Sequence, residues 1–241
     1  MALNAQALGP ILSEGTDVAL YNVWEEDFTV GFIAPVGTTS DSAGALLWTA
    51  NGVGALVPVL ADLKDEQHGV LAINTAGTAD DAYVTWRGHN EYIIPTVGKR
   101  IIFKARFNLR EVTQSDMWFG IHDNASTVAG TIVDGFYFRK DDGDANLDFV
   151  YEAADTAVAT TAILAMAADQ DYTLAFEYLC TAAGAGVLSV YIDGVVVAGL
   201  DNLRITTGAP NALMTIGGAI KNGQGAAAIM DLDYMAVAVE R

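Results

Sequence analysis

The stretch Ile101-Ile102-Phe103-Lys104-Ala105-Arg106-Phe107-Asn108-Leu109-Arg110 carries the clearest structural pattern in the chain. Its odd-numbered positions are apolar, and its even-numbered positions from Lys104 onward are charged or amide side chains. Neighbouring side chains of a β-strand point to opposite faces of a sheet, so this alternation predicts a strand with one buried face. The predicted buried face consists of Ile101, Phe103, Ala105, Phe107 and Leu109.

Short apolar runs separated by Asp, Gly, Asn and Thr clusters continue along the chain. Residues 135–139 and 147–151 flank an Asp- and Gly-rich turn, and residues 172–178 and 187–192 flank a small Gly-rich loop. Two apolar runs around such a turn are typical of β-hairpins. We therefore predict antiparallel pairing within each of these two segments.

Three further segments extend the same pattern. Residues 117–121 predict a buried strand, and Asp193-Gly194 turns the chain into the valines at 195–197. Residues 230–239 predict the last strand. In that strand, the sequence alternates Met230, Leu232, Tyr234 and Ala236 against Asp231 and Asp233.

The chain as a whole predicts an all-β protein, with upwards of ten short strands and no βαβ rhythm. The antiparallel pattern favours two sheets packed face to face, as a sandwich or jelly roll, over residues 23–241. Residues 153–168 are rich in Ala and could form a helix on propensity, but their Thr and Val content favours a strand. Residues 1–22 show little alternation, and we predict an N-terminal arm there, with a first edge strand as the alternative.

Composition excludes some classes of function. The chain has 241 residues and a formal net charge of −18, with 12 basic and 30 acidic side chains. Nucleic acids and anionic membranes both require a basic footprint. The closest approach to one is a group of four residues, Lys99, Arg100, Lys104 and Arg106. We therefore expect neither a nucleic-acid nor a membrane partner.

Cysteine content and the N-terminal sequence predict where the protein is made. Cys180 is the one cysteine, so no intrachain disulfide can form. The first residues lack the basic region and apolar run of a secretory signal, and no apolar stretch is long enough to span a membrane. We expect synthesis and folding in a cytoplasm.

Two patterns were weighed as metal sites. Asp142, Asp144, Asn146 and Asp148 alternate as in the opening of an EF-hand loop, but Leu147 and Ala153 stand where that loop needs Gly and Glu. A turn followed by a strand with one polar face explains the pattern better, and a surface cation site is the alternative. The three histidines share no metal-ligand spacing; they are His68, His89 and His122.

Catalytic motifs were weighed in the same way. His122-Asp123 could be half of a catalytic dyad, but no nucleophile elbow or reactive-cysteine context accompanies it. The Glu-x-Asp-x-x-Glu motif of sandwich glucanases is absent, and Asp231-x-Asp233 lacks its glutamates. Gly52-Val-Gly54 lacks the context of a phosphate loop. Asn124-Ala-Ser126 fits a glycosylation sequon by chance. We therefore predict a protein that is not an enzyme, with no catalytic, cofactor-binding or metal-binding residues and no cofactor.

Aromatic side chains leave a second type of binding open. The four tryptophans are Trp24, Trp48, Trp86 and Trp118. In so apolar a chain most aromatics belong to the core, but exposed ones would stack on sugar rings. A lectin would therefore need two or more solvent-facing aromatics beside Asp or Asn side chains.

Three segments resemble known proteins. The run Gly135-Phe-Tyr-Phe-Arg-Lys-Asp-Asp-Gly-Asp144 and the ending Met230-Asp-Leu-Asp-Tyr-Met-Ala-Val-Ala-Val-Glu-Arg241 resemble segments of bacteriophage virion proteins. Leu188-Ser-Val-Tyr-Ile-Asp-Gly194 with its following valines is similar to a hairpin of concanavalin A-like and laminin G-like domains.

This resemblance covers residues 80–241 and implies a concanavalin A-like jelly roll in a phage virion. It implies a structural protein, most simply a capsid decoration or cement protein. The expected partners are the major capsid protein, other virion proteins and further copies of this chain as a homo-oligomer. A carbohydrate-binding module for host attachment, with a surface glycan as partner, is the alternative.

Overall fold

The computed structural model describes residues 21–26, 48–52, 55–57, 70–75, 80–88, 92–123, 132–223 and 227–241. These residues form sixteen β-strands and no helix. In chain order the strands are β1 Tyr21–Glu26, β2 Trp48–Gly52, β3 Ala55–Val57, β4 Leu71–Asn74, β5 Tyr83–Gly88, β6 Arg100–Leu109, β7 Ser115–His122, β8 Gly135–Lys140, β9 Asn146–Ala153, β10 Thr156–Ala165, β11 Asp171–Ala182, β12 Ala185–Ile192, β13 Val195–Val196, β14 Leu203–Ile205, β15 Thr215–Asn222 and β16 Ile229–Glu240.

The strands form two antiparallel sheets. Sheet A has the order β13-β12-β11-β6-β16-β4-β3, with β1 also paired to β16 and β14 to β12. Sheet B has the order β10-β9-β8-β7-β15-β5-β2. The predicted all-β sandwich is confirmed, and the stretch quoted first forms β6, in the middle of sheet A.

The two sheets face each other across a core of aromatic rings. Phe103 of β6 stacks on Phe176 of β11, with ring centroids 5.3 Å apart. Across the sandwich it meets Phe119 of β7 at 6.3 Å and Phe138 of β8 at 6.5 Å. All four rings are buried. These aromatic contacts hold the two sheets together, so side chains on the opposite face of each sheet point outward from the sandwich.

Most predicted strands are confirmed. The two predicted hairpins are β8–β9 and β11–β12, and both pair antiparallel. The Ala-rich segment forms strand β10 rather than a helix. Asp193 and Gly194 both adopt positive φ angles, as a two-residue hairpin turn requires, and lead into β13.

The predicted alternation of the last strand is wrong in its second half. Met230 and Leu232 face the core as expected. However, the register of β16 against β6 shifts between Leu232 and Tyr234, which marks a β-bulge. The extra residue reverses the faces beyond it, so Met235 and Val237 fill the core in place of Tyr234 and Ala236.

The first predicted boundary falls mostly outside the described residues. Strand β1 begins at Tyr21 and pairs along β16, from Tyr21 opposite Glu240 to Glu26 opposite Met235. Residues 1–20 of the predicted arm lie outside the described residues. Among the residues that are described, none belongs to a helix long and apolar enough to cross a membrane.

Candidate functional site

The outer face of sheet B carries a second buried cluster, separate from the main core. Its members alternate with core residues along β7, β8, β9 and β15 and therefore point away from sheet A. Ile132, from the segment before β8, joins them. We call this group the Trp118 cluster; it comprises Trp118, His122, Ile132, Tyr137, Val150 and Ala219. Trp118 is 1% exposed and Tyr137 is 2% exposed, so these rings are closed to solvent.

His122 is the titratable group at one end of this cluster. Its ring meets the Trp118 ring edge-on, with centroids 4.5 Å apart. Burial, aided by the charge of Arg87, lowers the pKa of His122 to about 4. The imidazole is therefore neutral at pH 7, and none of the described residues forms a hydrogen bond with Nε2. A Cβ on Gly217 would lie 2.7 Å from Nε2, so that glycine makes room for the ring.

The structure does not assemble the dyad that His122-Asp123 could have formed. The Nδ1 atom of His122 contacts the backbone carbonyl of Asp123, not its carboxylate. That carboxylate accepts a hydrogen bond from the backbone N–H of Val133 at 3.1 Å, and burial raises its pKa. Without a carboxylate partner, the imidazole lacks the group that orients it as a general base.

Tyr137 and Glu152 form a polar contact that the sequence did not reveal. The Tyr137 hydroxyl donates to Glu152 Oε2 at 2.6 Å. Burial, followed by the bond to Glu152, raises the pKa of Tyr137 well above its ordinary value. In the β8–β9 hairpin Glu152 lies opposite Gly135, two residues before Tyr137, so Tyr137 and Glu152 are diagonal neighbours. The hairpin register therefore brings them together. The pair anchors the ring in place.

The two tryptophans whose side chains are described do not form an exposed surface on which a sugar ring could stack. Trp86 is 2% exposed in the main core, and Trp118 is 1% exposed in the Trp118 cluster. Trp24 and Trp48 lie in β1 and β2, but their side chains are outside the described structure. The aromatic pair that a lectin would need is thus not supplied by Trp86 and Trp118.

The acidic alternation from Asp142 to Asp148 has a structural role. Asp148 accepts a hydrogen bond from the Ala162 N–H at 2.8 Å and lies 3.6 Å from Arg139. Asp144 accepts from the Asn146 N–H at 2.9 Å. These bonds fix the β8–β9 turn and hold β10 against β9.

Metal binding finds no support in the rest of the described chain. Within it, no group of three or more His, Cys, Asp or Glu residues could hold a metal ion. His68 and His89 lie outside the described residues, as do Gly54 and the Asn124-Ala-Ser126 sequon. Cys180 is a buried free thiol.

Two arginines on the outer face of sheet A are paired with carboxylates. Arg106 bridges Asp171 at 3.2 Å and Asp233 at 3.0 Å. Arg110 pairs with Asp231 at 2.9 Å. Asp231-x-Asp233, weighed above as a catalytic motif, therefore binds Arg106 of β6 and Arg110, the residue that follows β6. This face presents paired charges and no free basic footprint for phosphate.

Apolar side chains are exposed instead at the outer edges of the two sheets. On β10, the edge of sheet B, Val158 is 43% exposed. On β13, the edge of sheet A, Val195 is 70% exposed and Val196 is 37% exposed. An edge strand also presents unpaired backbone N–H and C=O groups, which are a template for pairing with another chain. Apolar residues at an edge thus mark a surface suited to association.

No protein-family model and no curated protein matches this chain. Solved structures do resemble it. An endo-1,3-beta-glucanase from Streptomyces sioyaensis is 13% identical with a TM-score of 0.57, covering 92% of this chain and 97% of the enzyme. Peanut lectin is 10% identical with a TM-score of 0.55, covering 91% and 97%. A carbohydrate esterase from the Shiga toxin-encoding bacteriophage phi24B is 17% identical with a TM-score of 0.50, covering 80% and 90%.

These likenesses confirm the predicted concanavalin A-like jelly-roll sandwich. At such low identity they show the fold alone. They include a lectin, a glucanase and a phage esterase, so this fold serves both binding and catalysis. The function must therefore be argued from the surfaces of this chain.

Proposed function

We propose that this protein is a non-enzymatic structural component of a bacteriophage particle, most simply a capsid decoration protein. It would bind the major capsid protein and neighbouring copies of itself and reside in the virion after synthesis in the host cytoplasm. In this role the sandwich works by burying surface, and no reaction is required of it.

The observation that carries the proposal is the division of the surface between edges and faces. The sheet edges expose Val158, Val195 and Val196. On the outer face of sheet A, by contrast, Arg106 and Arg110 are paired with aspartates. An edge strand with exposed apolar side chains is a template for pairing with another chain, and an assembly protein requires such a surface.

The chemistry of the described residues is consistent with this role. His122 is buried and neutral, without a carboxylate partner, and Glu152 is bonded to Tyr137. The resemblance of residues 135–144 and 230–241 to virion proteins supports the phage assignment. The likeness in fold to a phage esterase is compatible with that assignment.

Quantitative mass spectrometry of purified particles tests the proposal. We expect the protein in virions, in many copies, at a fixed ratio to the major capsid protein. A few copies per particle would indicate a tail component instead. Absence from particles, with the protein present in the infected-cell lysate, would refute the proposal.

A carbohydrate-binding module for host attachment is the second candidate, because the chain shares its fold with peanut lectin. The buried state of Trp86 and Trp118 weighs against it, since ring stacking on sugars needs exposed aromatic faces. A glycan array with the polysaccharides of the host surface separates the two candidates. Specific, saturable binding to a polysaccharide would favour the lectin role. An array on which no glycan gives a signal would refute that role.

A further inference from the structure

In the described part of the chain, no strand pairs with the outer edge of β10. Strand β10 pairs with β9 on one side and forms the end of sheet B on the other. A two-residue turn at Ala154 and Asp155 begins the strand. A bulge between Thr160 and Leu164, where Ala162 adopts a φ of 54°, interrupts it. The uninterrupted edge is therefore the five-residue segment Thr156-Ala157-Val158-Ala159-Thr160.

This segment carries no device that would discourage pairing. Edge strands are commonly protected by lysines, by proline or by inward-pointing charges. From Thr156 to Ala168 the chain has no charged residue and no proline, although its net charge is −18. The four residues from Thr156 to Ala159 are all exposed. The bulge beyond Thr160 limits how far any pairing can run.

The segment also reads the same in both directions around Val158. When two copies of this strand pair antiparallel about a two-fold axis at Val158, Val158 of one copy lies opposite Val158 of the other. Thr156 then lies opposite the partner's Thr160, and Ala157 opposite the partner's Ala159. Threonine pairs across strands can hydrogen-bond, and β-branched pairs stabilise a sheet. Side-chain alternation places the Thr and Val pairs on one face and the Ala pairs on the other.

We propose that β10 is a self-association edge, at which two copies of this chain join through antiparallel pairing of Thr156–Thr160. The two copies of sheet B would then form one continuous sheet across the two-fold axis. The inference rests on the proposed function, because it names one of the partners that an assembly protein requires.

Charge and symmetry select a second copy as the occupant. Two chains of net charge −18 repel each other at most orientations, and a neutral edge is where they can approach. The symmetric order of side chains places each residue opposite a residue of the same type in the other copy. A five-residue contact is small compared with a stable interface, so we expect a weak dimer in solution. On a particle, the high local concentration would strengthen it.

Disulfide trapping tests the geometry. Directly opposite residues of antiparallel strands have Cα atoms about 4.5–5.5 Å apart, within the range that a disulfide spans. Under mild oxidation, Val158→Cys should form a covalent dimer rapidly. Cys180 is buried and does not compete. Val97→Cys, at an exposed valine of the turn before β6, is the matched control and should cross-link only at the slow rate of random collision.

Sedimentation of uncross-linked protein over a concentration series gives the second measurement. We expect Val158→Lys to weaken dimerisation about tenfold or more, since it places two lysines opposite each other. Val97→Lys should leave dimerisation unchanged. Either lysine lowers the net negative charge, so charge repulsion between copies alone would predict tighter association in both variants. Strand pairing at position 158 instead predicts weaker association for Val158→Lys. The two explanations therefore predict opposite changes in the dimerisation constant of that variant.

Equal cross-linking at positions 158 and 97, or none at either, would overturn the inference. So would a wild-type dimer that Val158→Lys does not weaken. These results are independent of virion mass spectrometry. A protein found in particles but not cross-linked at position 158 would refute the self-association edge and leave the proposed function standing.

Discussion

Acidification should destabilise the protein through His122. In the unfolded chain this imidazole titrates near its ordinary pKa of 6.5, whereas burial lowers the folded value to about 4. The unfolded state therefore binds more protons between these two values. The stability that the neutral ring contributes is fully present above pH 6.5, falls as the pH drops towards 4, and is lost below that. Between pH 7 and pH 5 the loss is about 2 kcal/mol.

Replacing the ring isolates this contribution. His122→Leu keeps an apolar side chain against Trp118. It breaks no hydrogen bond of Nε2, since that atom has no partner among the described residues. Urea denaturation of both proteins at pH 7, 6 and 5 gives the free energy of unfolding. The difference between them should change by about 2 kcal/mol over this range. His68 and His89 are present in both proteins, so their contributions cancel. A difference that stays constant with pH would show that His122 is not buried as described.

Three further changes test the packing, the surface and the arm. Gly120→Ala should lower the free energy of unfolding, measured by urea denaturation, by about 2–3 kcal/mol. Its Cβ would lie 2.2 Å from the Phe136 carbonyl oxygen and 2.7 Å from Tyr137 Cα, so an unchanged stability would contradict the close approach of β7 and β8. Arg106→Ala should cost less than about 1 kcal/mol in the same assay, since its ion pairs are partly exposed, and a larger loss would show that they are structural. Deleting residues 2–20 should change the melting temperature little but abolish attachment to capsid shells, because the apolar side chains of that segment need a partner surface; insoluble protein would place the segment in the sandwich instead.

The strands could be predicted from the sequence because alternation and turn residues are local properties. The Ile101 stretch follows from period two, and the two hairpins follow from an Asp- and Gly-rich turn and from a Gly-rich loop. The order of strands could not be predicted, since β6 pairs with β11 and β16 across long stretches of chain. The bulge near Asp233 was also hidden, because a single extra residue leaves the composition of the strand unchanged.

The Trp118 cluster could not be predicted for a related reason. Trp118 lies between Met117 and Phe119, so the run is apolar at every position and periodicity does not separate its two faces. Only the neighbouring strands show that Met117 and Phe119 face the core while Trp118 faces outward. The neutral run from Thr156 to Ala168 is visible in the sequence, but its place at a sheet edge depends on topology.

Binding of the purified protein to capsid shells is the most direct test of the central claim. The proposed function names the major capsid protein of a phage as the partner. Shells assembled from that protein alone are therefore mixed with increasing amounts of this chain and sedimented. The account predicts saturable co-sedimentation, with a bound amount in fixed ratio to the major capsid protein. Protein that stays in the supernatant at every concentration, while remaining folded, would contradict it.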